Sequence, residues 1–276
     1  MNQKIQQLSL LPWGLWSRQV AGIIRIELRK NFLCRRAVWI YLLAFLPVLL
    51  IGTAIYLKPP SFLAKDFQSH FAVIFHGLFL RLIVFFGSVG VFTYLFRGEV
   101  LEKSLHFYFL APLRREVLVV GKYLAGLTGM FCLCATSVTA CYLMVMQASR
   151  GYSGNGHLFG ELASYLGITF LACLGYGACF LLAGMLFRSP IIPTLLFLGW
   201  ESINFLLPPL LKKISVIYHL VSLFPVPINI SAGPFAILAE PTPVWAAVGG
   251  LLLFSLGALL ITSFSIRRLE INYSAD

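Results

Sequence analysis

The chain has 276 residues, of which 59% are hydrophobic and only 11% are charged. Soluble domains carry about 25% charged residues, so this composition excludes an ordinary soluble protein and predicts that lipid covers much of the surface. Lys and Arg outnumber Asp and Glu by 21 to 10. In a soluble protein that excess would suggest nucleic-acid binding, whereas in a membrane protein it reports orientation.

Residues 1–37 form a basic segment with an amphipathic pattern. Trp13, Trp16, Val20, Ile23 and Ile24 share one helical face, and Arg18, Arg25 and Arg29 share the opposite one. This pattern predicts an interfacial helix in the headgroup layer, although Glu27 falls on the apolar face. A basic tail without fixed structure is the alternative, and a cleaved signal peptide is not indicated because no apolar core precedes a cleavage site.

Apolar runs long enough to cross a bilayer follow this segment. A hydrocarbon layer of about 30 Å needs roughly 20 helical residues, and six runs meet this need: 38–57, 71–96, 121–146, 161–187, 191–207 and 244–266. We therefore predict an all-α polytopic membrane protein with six transmembrane helices and a single transmembrane domain over 1–276.

The cations are distributed unevenly between the two sides of these spans. Fifteen of the 21 fall before the first span, after the second, between the fourth and fifth, and after the last. The positive-inside rule places those segments in the cytoplasm, so both termini are predicted to be cytoplasmic in a bacterial inner membrane. Because the charge excess is explained by topology, a nucleic-acid partner is not expected.

The cytoplasmic loop 97–120 after the second span is charged and also apolar. Leu101, Leu105, Tyr108 and Phe109 follow helical spacing, Pro112 should end that helix, and 114–116 should begin another. A charged hairpin that only holds orientation is the alternative. Such a hairpin has no need of an apolar stripe, so the pattern favours a surface that a partner covers.

This loop resembles the cytoplasmic loop of the permease subunits of type-2 ABC transporters. Glu99 matches their acidic residue, Leu105 their leucine, Pro112 and Arg115 their Pro and Arg, and Gly121-Lys122 their Gly-Lys. Two positions depart from the pattern, since Lys103-Ser104 stands in place of Gly-Thr and Arg114 in place of Ser. The resemblance extends to the layout, with an interfacial helix, six spans and a long segment before the last span.

The resemblance implies a permease subunit of an ATP-driven exporter that dimerises with itself or a related chain. The loop would form a coupling helix on a separate ABC ATPase subunit, through Glu99, Glu102, Leu105, Tyr108, Pro112, Arg114 and Arg115. The chain has no G-x-x-x-x-G-K-[ST] motif. ATP and magnesium are therefore expected on the partner, and this chain is expected to be a transport subunit without catalytic residues or a cofactor of its own.

Half of the 14 prolines fall between residues 208 and 243. Proline does not propagate a helix, and the apolar pieces 214–224 and 228–238 are too short to span. This extracytoplasmic segment is predicted to form short re-entrant or interfacial helices on the outer side, the alternative being a loop that rests on the headgroups. The resemblance to type-2 ABC permeases implies that these helices lie at the outer mouth of the pathway.

A few polar residues lie inside the predicted spans. Arg81 is deep in the second span, and Glu201 and Asn204 lie in the fifth at a matching depth, which suggests an Arg81–Glu201 ion pair as a hypothesis. No metal site is expected, because His76 and His219 are isolated and five of the six cysteines lie in spans as small packing residues. Gly121, Ala125 and Gly129 form a small-residue stripe that permits close helix approach.

Two other classes of protein share part of this pattern. A membrane-embedded enzyme needs ionisable groups clustered at one depth, such as H-E-x-x-H, and this sequence has no such motif. A non-transporting membrane anchor or assembly factor would keep the same layout, so that alternative stays open. Lipid, peptide, drug, polysaccharide and ion substrates are all compatible with the composition.

Overall fold

The computed structural model describes residues 13–57, 67–101, 113–148, 158–187, 189–203, 214–225 and 243–267, with Leu110, Pro208 and Leu211. Within these ranges the chain is helical and contains no strand, which confirms the predicted all-α class. The helices are α1 (Trp13–Phe32), α2 (Val38–Leu57), α3 (67–101), α4 (Arg115–Ala148), α5 (Leu158–Leu186), α6 (Ile191–Ile203), α7 (Val216–Val221) and α8 (Val244–Arg267).

Five of the described helices are long and apolar enough to cross a membrane. They contain the segments Val38–Leu57, His70–Glu99, Arg115–Ala148, Phe159–Leu186 and Val244–Arg267, which correspond to five of the six predicted spans. The remaining span, 191–207, is represented by α6, whose 13 residues are shorter than the hydrocarbon layer requires. Residues 204–207 lie outside the described part, so the sixth crossing stays a prediction.

The bundle is built on α3, α4 and α5. Between 50% and 61% of their most apolar stretches are buried, against 17% for α2 and 22% for α8. The centre is filled with side chains, since Phe92 is fully buried and an added Cβ at Gly177 would stand 2.5 Å from its ring. At Gly184 an added Cβ would lie 2.7 Å from the Thr93 backbone, so only glycine permits this crossing of α3 and α5.

Helix α1 packs along α4 and confirms the predicted role of the small-residue stripe. An added Cβ at Gly121 would stand 2.9 Å from Ile23, and one at Gly129 would collide with the Phe32 ring. Arg18, Arg25 and Arg29 are exposed on the opposite face of α1, as the amphipathic pattern predicted. The position of α1 in the headgroup layer stays a prediction.

Helix α3 changes its winding within the membrane-spanning segment. It is α-helical over Phe67–Ile74, π-helical over Phe75–Val84 and α-helical again over Phe85–Leu101. Several aromatic side chains pack beside the first half of α3, including Phe71, Tyr142 and Tyr165, whose rings lie 4.9 to 6.3 Å apart. At the start of the π-helical segment the Phe75 ring lies 4.8 Å from the Tyr165 ring, so this end of the segment packs against α5.

The Pro-rich segment 208–243 is described only in part. Helix α7 lies within it and packs against α5 and α8, with Val216, Ile217 and Leu220 buried. With six residues it is too short to span, as the sequence predicted for 214–224. Residues 226–242 lie outside the described part, so the re-entrant or interfacial placement of the segment stays a prediction.

Candidate coupling site at the ends of α3 and α4

The predicted coupling loop connects the end of α3 to the start of α4. Glu99, Arg114 and Arg115 are described, whereas Glu102, Leu105, Tyr108 and Pro112 lie outside the described residues. The described part of the site consists of the residues at the base of the loop. We call the end of the bundle that carries these residues the loop end.

Three charged side chains from three helices meet at the loop end and form a buried cluster. Lys122 Nζ of α4 lies 2.5 Å from Glu27 Oε1 of α1 and 2.7 Å from Glu99 Oε1 of α3. It also donates a hydrogen bond to the Leu95 carbonyl at 2.9 Å. The exposed fractions of the Lys122, Glu27 and Glu99 side chains are 0%, 1% and 2%.

Neighbouring groups add a hydrogen bond and a second ammonium group to this cluster. Asn31 Nδ2 donates to Glu27 Oε2 at 2.8 Å, and Lys30 Nζ lies 3.9 Å from Glu99 Oε1. The two carboxylates therefore face two ammonium groups, so the cluster is close to neutral. Removing one partner from such a buried ion pair typically lowers the free energy of unfolding by about 3–5 kcal/mol, because the remaining buried charge then has no counter-charge.

The cluster explains two features of the sequence. Glu99 and Lys122, which match the acidic residue and the Gly-Lys of the family pattern, are direct partners. Glu27, the exception on the apolar face of the amphipathic helix, is the acid that completes the site. Sequence reasoning missed Glu27 as a site residue, although an acid on an apolar helix face was the available signal, since a buried charge needs a partner.

The first residues of α4 also hold the end of α8. Arg115 Nη1 donates to the carbonyls of Ile266 and Arg267 at 3.0 and 2.9 Å, where the last carbonyls of a helix have no partner within the helix. Arg267 Nε in turn donates to Glu116 Oε1 at 2.6 Å. The Arg114 guanidinium lies 4.8 Å from the centre of the Trp16 ring on α1.

The base of the loop is thus a junction of α1, α3, α4 and α8. The ends of α3 and α4 are held by charges in a setting with little water, where electrostatic interactions are strong. A displacement of the intervening loop would therefore move four helices rather than two. This arrangement can transmit motion.

Glu201, one of the polar residues predicted inside the spans, is buried and bonded to the start of α7. Glu201 of α6 is 4% exposed, and its Oε1 accepts a hydrogen bond from the Val216 amide at 3.0 Å. Its Oε2 accepts from Ser215 Oγ at 2.7 Å and from the Ile217 amide at 3.3 Å. The carboxylate therefore caps the N-terminus of α7, where backbone amides lack partners in the helix.

Arg81 is exposed on α3 and makes no ion pair with Glu201 in the described part of the chain. The hypothesised ion pair between these two residues is therefore absent from the described part of the structure. An arginine at the centre of a membrane helix costs about 2.5–3.5 kcal/mol on insertion scales. Asn204 lies outside the described residues.

Other polar residues among the described residues give no further site of this kind. The described residues contain no group of three His, Cys, Asp or Glu placed to hold a metal ion. The six cysteines are free thiols, of which Cys34 and Cys132 are exposed.

The fold and its apolar helices define the class of the protein, a multi-pass α-helical membrane protein. Residues 23–200 match the family model described as ABC-2 family transporter protein, and because this match covers more than half of the chain, the protein belongs to that family. It is accordingly a membrane-embedded permease component of a transporter. A search of curated proteins found no match.

Proposed function

We propose that this chain is the membrane-spanning subunit of an ATP-driven exporter, with a separate ABC ATPase docked on the loop between α3 and α4. The observation that carries the proposal is the buried cluster of Glu27, Glu99 and Lys122, which joins both ends of this loop to α1. A loop with no mechanical role would not need charged groups buried at its base, because such groups are costly when removed from water.

On this proposal, the ATPase binds ATP and magnesium and moves the loop when it closes on the nucleotide. The ends of α3 and α4 then move together because Lys122 on α4 pairs with Glu99 on α3. Helix α1 moves with them because Lys122 also pairs with Glu27. Helix α4 extends over 34 residues and contacts α1, α2, α5 and α8, so its tilt repositions much of the bundle. This movement would alternate access to the pathway.

The pathway is proposed to lie between two copies of the permease, or between this chain and a related one. The centre of the described bundle is filled by side chains such as Phe85, Phe92 and Tyr176, each at most 2% exposed. One copy therefore leaves little room for a substrate within its own core. Both termini and the loop end are proposed to face the cytoplasm of a bacterium, as the distribution of cations predicts.

The experiment that tests the coupling is co-purification of this chain with an ABC ATPase from its own cells, in a mild detergent. Replacing Leu105, Tyr108 and Arg115 together by alanine should abolish recovery of the ATPase and ATP-dependent transport. Leu143→Ala, an exposed apolar residue near the other end of α4, is the control and should leave both unchanged. An intact complex in the triple variant would contradict the coupling assignment.

A complex that forms but does not transport would support a non-transporting anchor instead. Comparing ATP-driven uptake into inverted vesicles with uptake into right-side-out vesicles tests the direction. Export from the cytoplasm requires accumulation in the inverted vesicles only.

A further inference from the structure

One face of α3 is exposed along much of its length. Val73, Gly77, Arg81, Phe86 and Gly90 are exposed, whereas Phe75, Phe79, Leu80, Ile83 and Val84 on the other side are fully buried. We call the exposed set the α3 stripe. Arg81 is its only charged member, and it lies several turns from either end of the span His70–Glu99.

The π-helical segment of α3 brings a second polar side chain to Arg81. In a π-helix the amide of one residue bonds to the carbonyl five residues earlier, so side chains five apart come close, whereas in an α-helix they point in different directions. His76 and Arg81 have this spacing within the π-helical segment. Segments of π-helix occur frequently at functional sites.

Arg81 forms no ion pair within the described part of one copy. Both oxygens of Glu201, the nearest acid by sequence depth, accept hydrogen bonds from Ser215 and the start of α7. Among the described residues no carboxylate lies within ion-pair distance of Arg81. An added Cβ at Gly77 or Gly90 would meet nothing within 4 Å, so no side chain of the described residues covers the stripe at these two positions.

We propose that Arg81 binds the anionic headgroup of an amphiphile that the permease transports, with the apolar part of the amphiphile along the α3 stripe. This inference rests on the proposed function, because the stripe must line the path between two copies. In a two-fold symmetric dimer the second Arg81 faces the same path, and the stripe contains no acid to neutralise either one. The path is then positive at membrane depth.

The chemistry of Arg81 fits a phosphate or carboxylate headgroup. A guanidinium presents a planar fork of donors that matches these groups with two parallel hydrogen bonds. Val73 and Phe86 on the same stripe offer apolar contact for a hydrocarbon chain. A neutral or cationic headgroup would leave the arginine without a partner in a region that contains little water, so the site discriminates by charge.

The test measures binding to the permease alone, in nanodiscs of phosphatidylcholine. The probes are radiolabelled dodecyl phosphate and dodecyl maltoside, which have the same hydrocarbon chain, and only dodecyl phosphate has an anionic headgroup. The parent should bind dodecyl phosphate about tenfold more tightly, the size of effect that one charge-assisted contact produces. Arg81→Gln should remove this preference, and Arg81→Lys should retain part of it.

Arg18→Gln is the matched control, because Arg18 is exposed on α1 and away from the stripe, and it should retain the full preference. Equal binding of the two probes to the parent, or an unchanged preference in Arg81→Gln, would overturn the site. Loss of the dimer in Arg81→Gln would also overturn it, because Arg81 would then pair with the second copy.

Recovery of the ATPase with the parent is measured in parallel. If the ATPase binds and ATP drives transport but the probes bind equally, the anion site fails and the proposed function stands. If the parent shows the charge preference but no ATPase binds, the site is supported and the proposed coupling fails.

Discussion

Lys122 of α4 lies 2.5 Å from Glu27 of α1, a residue 95 positions earlier in the chain, and neither side chain has more than 1% of its surface exposed. This pair connects the amphipathic helix to the start of the helix that follows the predicted coupling loop. Glu99 joins them from the end of α3 at 2.7 Å from the same ammonium group. The ends of the loop are thus held by a buried charge cluster.

Lys122→Met should lower the free energy of unfolding by about 3–5 kcal/mol, because it leaves Glu27 and Glu99 buried and facing each other without a compensating charge. Adding Glu27→Gln and Glu99→Gln to this variant should recover part of that loss, since neutral groups are less costly to bury. Unfolding by sodium dodecyl sulfate in mixed micelles, followed by circular dichroism, measures both variants.

Lys30→Met is the control for the cluster. Lys30 lies 3.9 Å from Glu99 and its side chain is 31% exposed, so its removal should cost at most about 1 kcal/mol. If Lys30→Met and Lys122→Met lowered the free energy of unfolding by the same amount, burial would not determine the strength of these contacts.

Gly129→Ala should destabilise the docking of α1 on α4 by about 1–3 kcal/mol, the usual cost of overpacking, because the added methyl group collides with the Phe32 ring. Gly167→Ala on α5 is the matched control, since a Cβ there meets nothing within 4 Å. Gly167→Ala should leave the free energy of unfolding unchanged or raise it by up to about 1 kcal/mol. Faster proteolysis at the α1–α2 junction, in Gly129→Ala only, would report the loosened helix.

Glu201→Ala should loosen α7, because the amides of Val216 and Ile217 and the Ser215 hydroxyl lose their acceptor. Each buried polar group left without a partner costs about 1–3 kcal/mol. Glu201→Gln retains one acceptor oxygen and should have a smaller effect. Ser202→Ala, at the exposed neighbouring position, should have none.

Hydrogen–deuterium exchange of a peptide covering residues 214–225 measures this change. The order of exchange should be Glu201→Ala fastest, then Glu201→Gln, then the parent with Ser202→Ala. If Glu201→Ala exchanged as slowly as the parent, the carboxylate would not be the cap that holds α7.

Cys34 provides a test of orientation. It is exposed between α1 and α2, so a membrane-impermeant maleimide should label it in inverted vesicles and leave it unlabelled in intact cells. A Cys132→Ser background removes the other exposed thiol. Labelling of Cys34 from outside the cell would contradict the predicted cytoplasmic loop end.

The sequence by itself determined the class of protein and the position of most helices. A bilayer imposes a minimum length on apolar helices, so the five spans could be found from composition and run length alone. The amphipathic pattern of α1 and the stripe of Gly121 and Gly129 were also visible, because the helical period fixes which residues share a face. The loop motif with Glu99 and Lys122 indicated the family before any contact was known.

Only the tertiary structure decided which polar groups meet. Glu27 and Lys122 are far apart in sequence, and hydropathy does not specify the rotation of one helix against another. Matched depth placed Arg81 near Glu201, but depth does not determine direction, and Glu201 faces α7 instead. The π-helical winding around Arg81 was not visible in the sequence either. Buried charges depend on contacts between helices, and those contacts exist only once the bundle has packed.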